Sequence, residues 1–544
     1  MAQPYGLGSG QKARDVDYVQ TLAGQILTEL TESLNKFHQT QHSERYWNIV
    51  LGHWLQRYVA VAFHRYHALD QALKTHEIAG TTVFDSTDYS LATYDSMSFI
   101  WACNDPVWNH VFYAKILEFL GYARIEPDAA SLRGIHGFVK KTDAIARRPS
   151  PKRLILRAAN YILPKLSGRH DAFIINSFLP LPEQAKLELS FGQCPQLWRI
   201  PLRKNVAPSL EIRRHFGINS NDYQGFERFA RSQLAEIIPT CYLEGYDQLN
   251  QQIKLSPWPA EPKFIFTSNN FDLDESFKVW AGSKVEEGIP YFVGQHGSNY
   301  GTLRGSQNWP ELVTCDKFFT WGWSNGNARN IPAFVFTTAA NKPRRRNSDG
   351  GLLLIELHPS LQLGPEDDYH DFGIYQEEQF RFVAALPESI QQRLTVRLHH
   401  LYRELRWSDE QRWKDRLPQV RIENYAVPIQ ELIAQSRLVV HSYDSAGILE
   451  TLALNIPTLC FWHGGLDHLL YSAKPYYELL RGASILVDTP EQGAAFVASH
   501  WENINEWWES EKVQDARNRF CDQYARTERK PVWTMKRLLT TALK

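Results

Sequence analysis

From Gly351 to Trp462, short apolar runs alternate with segments whose apolar residues recur every three or four positions, and this alternation constrains the fold most. It reads as strand Leu352–Leu357, helix Tyr375–Leu394, strands Val396–His399 and Val420–Tyr425, helix Ile429–Ala434, strand Leu438–His441, helix Asp444–Leu454 and strand Thr458–Trp462. Strands separated by helices cannot pair through tight hairpins, so the region is expected to form a parallel sheet covered by helices.

Upstream the pattern differs. Tyr18 to Phe37, Tyr46 to Leu73 and Trp108 to Phe119 carry helical spacing, which makes the first ~170 residues predominantly helical. Short β-branched or aromatic runs follow at Asp171–Phe178, Lys263–Thr267 and Tyr291–Val293, with a further apolar segment at Lys317–Trp323. Tyr223 to Leu249 reads as helix interrupted by Pro239, and the stretch from Gln492 to Leu543 as amphipathic helix. A chain of 544 residues exceeds what one core usually supports.

Charge and cysteine usage exclude several classes. Lys+Arg 59 against Asp+Glu 60 leaves a net charge of -1, which argues against a nucleic-acid binder. The basic stretch Lys342, Arg344, Arg345 and Arg346 reads most simply as a solvated linker. The start of the chain has no apolar core of signal-peptide length, and no later segment reaches ~18 uninterrupted apolar residues, so a cytoplasmic location is expected. The 6 cysteines show no paired spacing, which suits reduced thiols and offers neither disulfide nor zinc framework; no metal is expected.

Two strand ends carry chemistry. Strand Leu438–His441 delivers the chain into His441, Ser442, Tyr443, Asp444 and Ser445, polar residues suited to cap the following helix. Unpaired amides and the dipole at such a helix start favour an anion, and Gly447 in the first turn lets a ligand approach the backbone; an ordinary capped unit is the bland alternative. The other strand end is Tyr291–Val293, which runs into Gly294, Gln295, His296, Gly297, Ser298, Asn299, Tyr300 and Gly301. Such a glycine-rich turn lies where open α/β sheets place ligands. His296, with an ordinary pKa of ~6.5, suits a general base, and equally suits a structural role in its loop. Asp85, Asp88 and Asp105 are alternative carboxylates that nothing local distinguishes.

Glu450, in the first turns of the helix after Ser445 and seven residues before Pro457, resembles the donor-binding signature of two-domain, or GT-B, glycosyltransferases. That resemblance implies that Glu450 holds the nucleotide ribose and that Ser442, Ser445 and Thr451 lie near the phosphate. Asn455 stands where many members have glycine, and asparagine also tolerates a left-handed helix end. His399–His400 resembles the His-Pro element of transferases that use cytidine-activated sugars, including capsule Kdo and sialyltransferase-like enzymes, with His400 in the proline's place. His358–Pro359 is a second version of the element, and a solvated strand-end histidine is the bland alternative.

Further stretches resemble the O-antigen and surface-carbohydrate transferases: Tyr46–Trp54, Asn104–Asn109, Ile238–Gly245, Thr267–Asn270, Gly294–Gly297, Trp321–Trp323 and Asp444–Pro457. The implied fold is α/β and GT-B-like, two Rossmann-like domains about a central cleft with a helix-rich N-terminal embellishment. Residues 1–170 and 171–340 would form the acceptor half, 347–491 the nucleotide-sugar-binding domain, and 492–544 helices packing across both. Residues Gly294, Gln295, Gly297 and Asn299 would line the acceptor side of the cleft, with His296 as base. His399, His400, His441, Ser442, Asp444, Ser445, Gly447, Glu450 and Thr451 would face the donor.

The function implied is glycosyl transfer from a nucleotide sugar, with a CMP-linked acid sugar favoured, to a surface polysaccharide, O-antigen or lipid-linked glycan. No cofactor or metal is required; Asp367–Asp368 reads as solvated surface, and Arg397 or Arg403 would help meet the leaving phosphate. Peripheral contact with the inner membrane is compatible with this reading. A nucleotide-sugar epimerase, a glycerophosphate-type transferase and a noncatalytic glycan-assembly protein are the competing functions.

Overall fold

The computed structural model describes residues 5–6, 10–86, 89–122, 125–131, 163–198, 205–340, 347–357, 372–399, 401–404, 408–424 and 426–544. Its architecture is α/β, with two five-stranded parallel sheets and a helix-rich N-terminal embellishment, the GT-B-like arrangement expected from the sequence.

The C-terminal sheet comprises β8 (Gly351–Ile355), β9 (Leu394–Arg397), β10 (Arg421–Glu423), β11 (Ser436–His441) and β12 (Thr458–Cys460), ordered β10-β9-β8-β11-β12. The chain steps outward from β8 in one direction, then returns to start again on its other side at β11. Such a reversal opens a crevice at the carboxyl ends of the two strands where the order turns. Here those ends are Glu356–Leu357 and His441–Ser442, and the register pairs His441 with Ile355.

The N-terminal sheet is simpler. Strands β3 (Phe173–Ile175), β4 (Ile265–Thr267), β5 (Tyr291–Gly294), β6 (Lys317–Thr320) and β7 (Asn330–Pro332) lie in chain order and are all parallel. Against this half packs the Glu44–Thr75 helix, started by Ser43, whose hydroxyl accepts from the Tyr46 amide at 3.1 Å. Trp47, Trp54 and Tyr58 on this helix are at most 1% exposed, so it is a central core helix. Burying each such side chain contributes roughly 1.5–3 kcal/mol against leaving it in water.

The described part of the N-terminal region is predominantly helical, with one addition that the periodicity does not show: β1 (Thr81–Asp85) and β2 (Ile125–Ser131) pair in parallel as a separate small sheet.

The halves are joined twice. The segment after β7 leads into the C-terminal sheet, and the chain's last helices come back. The Arg526 amide donates to Trp321 O at 2.9 Å and the Val335 amide to Arg526 O at 2.8 Å. Beyond them the Pro531–Ala542 helix packs on the Leu181–Ser190 helix of the N-terminal half. Among the described residues no helix is long and apolar enough to cross a membrane. The six cysteines are free thiols.

Candidate functional site

The carboxyl end of β11 opens into the Ala446–Ala453 helix, shorter at its start than the Asp444–Leu454 expected. Ser445 is its N-cap in extended conformation, but its side chain makes no capping bond. His441 beneath it is 1% exposed, and neither ring nitrogen has a hydrogen-bond partner. Burial drives this ring down to about 3, so it is neutral at physiological pH. Gly447 fits over the imidazole: a Cβ there would lie 2.8 Å from His441 Cε1. The glycine is thus required by packing within the protein, whatever a ligand adds.

Glu450, one turn deeper, is half-buried, and its Oε1 accepts from the Thr337 hydroxyl at 2.6 Å. Burial raises its pKa, against that hydrogen bond. The carboxylate therefore faces the segment joining the halves and keeps part of its surface in the open. Asn455 ends this helix at φ 55, the left-handed conformation expected of it.

Other residues assigned to the donor are engaged elsewhere. Thr451 is 2% exposed, and its hydroxyl donates inward to Ile448 O at 3.1 Å, because its position falls on the core face of the helix. The Asp444 carboxylate accepts from Tyr477 Oη at 3.0 Å and lies 3.0 Å from His468 Nε2, so it ties the loop after β12 to the helix mouth. Ser442 Oγ accepts from Gln379 Nε2 at 2.8 Å. Arg397 donates to Val427 O at 2.7 Å and Arg403 to Tyr402 Oη at 2.8 Å, both within the protein. His399 is half-buried at the end of β9, on the same edge of the sheet. His400, His358, Pro359, Asp367, Asp368 and the basic stretch 342–346 lie outside the described residues.

The facing wall is the loop after β5. Gly294 is enclosed, since a Cβ would meet Ser268 Oγ at 2.6 Å and the Phe336 ring at 2.7 Å. Gln295, expected to line the acceptor side, is 1% exposed and shapes the loop instead. Its Oε1 accepts from the Trp321 amide and Trp323 Nε1, both at 2.8 Å, and its Nε2 donates to Gly297 O at 2.8 Å. Asn299 takes φ 75, and its carbonyl accepts the Leu303 amide at 2.9 Å. A Cβ on Gly297 would stand 3.9 Å from Ala446 Cβ, so the loop confronts the first turn of the helix across from it. Main-chain bonds hold the walls together: Leu470 N donates to Thr302 O at 2.7 Å, and Arg304 N to His468 O at 3.0 Å.

His296 sits in this loop between the rings of Phe178 and Phe271, at 5.9 and 5.8 Å. Its Nδ1 lies 3.2 Å from Tyr300 Oη. Burial lowers its pKa, although Asp272 and a hydrogen bond to the Ser268 backbone oppose the shift. The ring is consequently neutral near pH 7, the state a proton acceptor needs.

Around it the fold gathers residues that sequence reasoning missed. Arg57 Nη2 lies 2.6 Å from Asp272 Oδ1, and both side chains are half-buried, with Asp272 Oδ1 and Arg57 Nη1 themselves out of reach of solvent. His53 stands 3.8 Å from Asp272 and 3.2 Å from Glu311. Burial pushes Asp272 up, but Arg57, His53 and Lys278 together hold it below its ordinary value. These groups come from the central helix, the end of β4 and a short helix before β6, so no local pattern joins them. The quoted stretches Tyr46–Trp54 and Thr267–Asn270 contain or adjoin His53 and Asp272, which is the one signal available. Asp105 caps the Pro106–Phe119 helix by accepting the Trp108 amide at 2.9 Å; Asp85 ends β1, and Asp88 is outside the described residues. Among the described residues no cluster of three or more His, Cys, Asp or Glu side chains is arranged for a metal ion.

A family model described as LIC12162 family transferase matches residues 3–539. No curated protein sequence matches the chain. Among solved structures it is similar to the spinosyn rhamnosyltransferase SpnG complexed with spinosyn aglycone, at 13% identity and a TM-score of 0.31, over 54% of this chain and 78% of that one. It is also similar to S. aureus MnaA with UDP, at 13% identity and a TM-score of 0.35, over 55% and 80%. A third is Anabaena HepE in complex with UDP and glucose, at 11% identity and a TM-score of 0.34, over 59% and 89%.

Proposed function

The chain belongs to the LIC12162 family of transferases, and from that premise we propose that it moves a sugar from a nucleotide-sugar donor on the C-terminal sheet to a hydroxyl beside His296. One observation carries the reading. The loop that bears a neutral histidine stands opposite a helix start whose N-cap side chain makes no capping bond, at the strand ends where the sheet order reverses.

The chemistry follows from that juxtaposition. Amides of the first turn, together with Ser445, receive the donor phosphate, and the dipole of the helix favours the charge that develops as it leaves. Glu450 accepts from the ribose hydroxyls, exchanging its bond to Thr337. His296 takes the acceptor's proton as its oxygen bonds to the anomeric carbon and the bond from that carbon to the phosphate oxygen breaks. Wall contact keeps out water that would hydrolyse the donor.

The acceptor class favoured is a surface polysaccharide, O-antigen or lipid-linked glycan, and the donor class a cytidine-activated acid sugar. Both rest on the resemblance of the His399 element and of the segment Asp444–Pro457. The protein would work at the cytoplasmic membrane face, without a metal.

A thermal-shift panel of CMP, CDP, UDP, GDP and their sugars tests this. A ligand at ~100 times its dissociation constant stabilises the fold by about 2.7 kcal/mol. Stabilisation by CMP and its sugars above the others supports the donor assignment. No shift with any nucleotide removes the reading, and donor turnover without acceptor points to epimerisation or hydrolysis instead.

A further inference from the structure

Tyr300 lies between two titratable groups in the interior of the N-terminal half. It is 3% exposed, and its hydroxyl lies 2.6 Å from Glu311 Oε1 and 3.2 Å from His296 Nδ1. Glu311 is also 3% exposed, on the short Pro310–Thr314 helix. A phenol has one proton. Between these neighbours it donates to one and accepts from the other, and which it does depends on them.

Two self-consistent arrangements result. With Glu311 ionised, Tyr300 donates to the carboxylate and accepts from Nδ1–H, which leaves Nε2 with its lone pair. With Glu311 protonated, the carboxyl donates to Tyr300, Tyr300 donates to Nδ1, and the ring proton resides on Nε2. Passing from the second to the first, Glu311 releases one proton to solvent. Tyr300 keeps its own, turned to the other neighbour, and the imidazole keeps one, moved from Nε2 to Nδ1.

We propose that Glu311, acting through Tyr300, is a positioning residue that sets the tautomer of His296 and hence when Nε2 is free to accept a proton. The last step rests on the base role given to His296 above; the coupling of Glu311 to the ring does not.

The surroundings place the change near neutrality. Burial pushes Glu311 up to about 7, against the hydrogen bond from Tyr300. His53 and Arg57 of the central helix, Asp272 after β4, Tyr291 of β5 and Cys315 before β6 face it from the other elements. His53 is itself held down to about 3 by burial, so it stays neutral over this range. His296 is faced by Asp272, His53 and Tyr300 and by the rings of Phe178 and Phe271. Its lowered pKa leaves the position of one proton, and not the charge of the ring, as what Glu311 controls.

Ring nitrogen shifts of His296 in the 15N-labelled full chain, assigned with His296→Gln, test this without any substrate. Between roughly pH 6 and pH 8 the wild-type ring is expected to exchange an Nε2–H pattern for an Nδ1–H pattern, with a midpoint near Glu311's value of about 7. In Glu311→Gln, which has no proton to lose, the pattern is expected to stay constant over that range. Tyr300→Phe, which removes the linking hydroxyl, is expected to abolish the step too, and carries the test if the first variant does not fold. A wild-type ring with no step, or a step that persists in the folded variants, overturns the proposal. Failure of every nucleotide to bind leaves these spectra unchanged and counts only against the transferase reading of the site.

Discussion

The two walls of the site spend their polar groups differently. On the C-terminal wall, His441 has two unpartnered ring nitrogens and Ser445 caps nothing with its side chain, so hydrogen-bonding capacity is left over at the helix mouth. On the N-terminal wall, His53 Nε2, Arg57 Nη1, Asp272 Oδ1 and Glu311 Oε2 also lack hydrogen-bond partners, but there His53, Arg57, Asp272, His296, Tyr300 and Glu311 lie close enough to pair with one another as one set. Buried polar capacity without partners is costly, so a fold retains it where something else supplies the partner. A linked set of titratable groups holds its own protonation state. The first arrangement suits capture of a ligand and the second suits control of a proton.

Four changes break or sharpen that contrast. The largest effect is expected from His296→Ala, which should lower turnover by ~10²–10⁴-fold, the usual worth of a general base, while nucleotide affinity measured by calorimetry stays within about twofold. Equal loss of both would erase the division between the walls. Next is the pH dependence of stability around Glu311. Its folded value of about 7 lies above the ordinary 4.5, so the folded state binds the extra proton between those values. Stability gained from this group is full below about 4.5, falls as pH rises toward 7, and is level beyond. Denaturant titrations of wild type against Glu311→Gln should therefore diverge by on the order of 3 kcal/mol across that window; parallel curves would mean the carboxyl is ionised throughout.

Glu450→Ala should weaken nucleotide binding by about 10- to 100-fold, the worth of hydrogen bonds to a charged group, with turnover at saturating donor little changed. An unaltered dissociation constant would take the ribose away from this carboxylate. The smallest effect is expected from Gly447→Ala. Its new methyl meets the His441 ring at 2.8 Å, so the fold should lose about 1–3 kcal/mol by denaturant titration. The double variant with His441→Ala should recover much of that loss, and a purely additive result would show that the ring is not what the glycine accommodates.

Much of the C-terminal wall was legible in the sequence because it is built locally. Apolar runs that alternate with helical spacing marked each strand of its sheet, and strand, polar turn and helix follow one another within about twenty residues at Leu438–Pro457. Even there, which polar side chains face the crevice was not legible, since Thr451 and Glu450 are neighbours in sequence, yet one turns into the core and the other toward Thr337. The N-terminal wall is assembled from residues separated by up to 258 positions, His53 to Glu311, and no periodicity connects them. Short strands escaped for a related reason. β7 is three residues long and ends in Pro332, as an edge strand allows, while β1 has a half-exposed burial pattern without clean alternation.

The returning C-terminal helix has a mechanical consequence. Two backbone spans cross between the halves, one before β8 and one near Arg526, and they bind each other through Val335 N and Arg526 O. Paired straps of this kind act as a book's spine, fastening the two covers along one edge in addition to the bonds between their facing pages. Clipping the chain in the first span alone would leave the covers attached, whereas removing the last helix would loosen a half of the molecule hundreds of residues away in sequence.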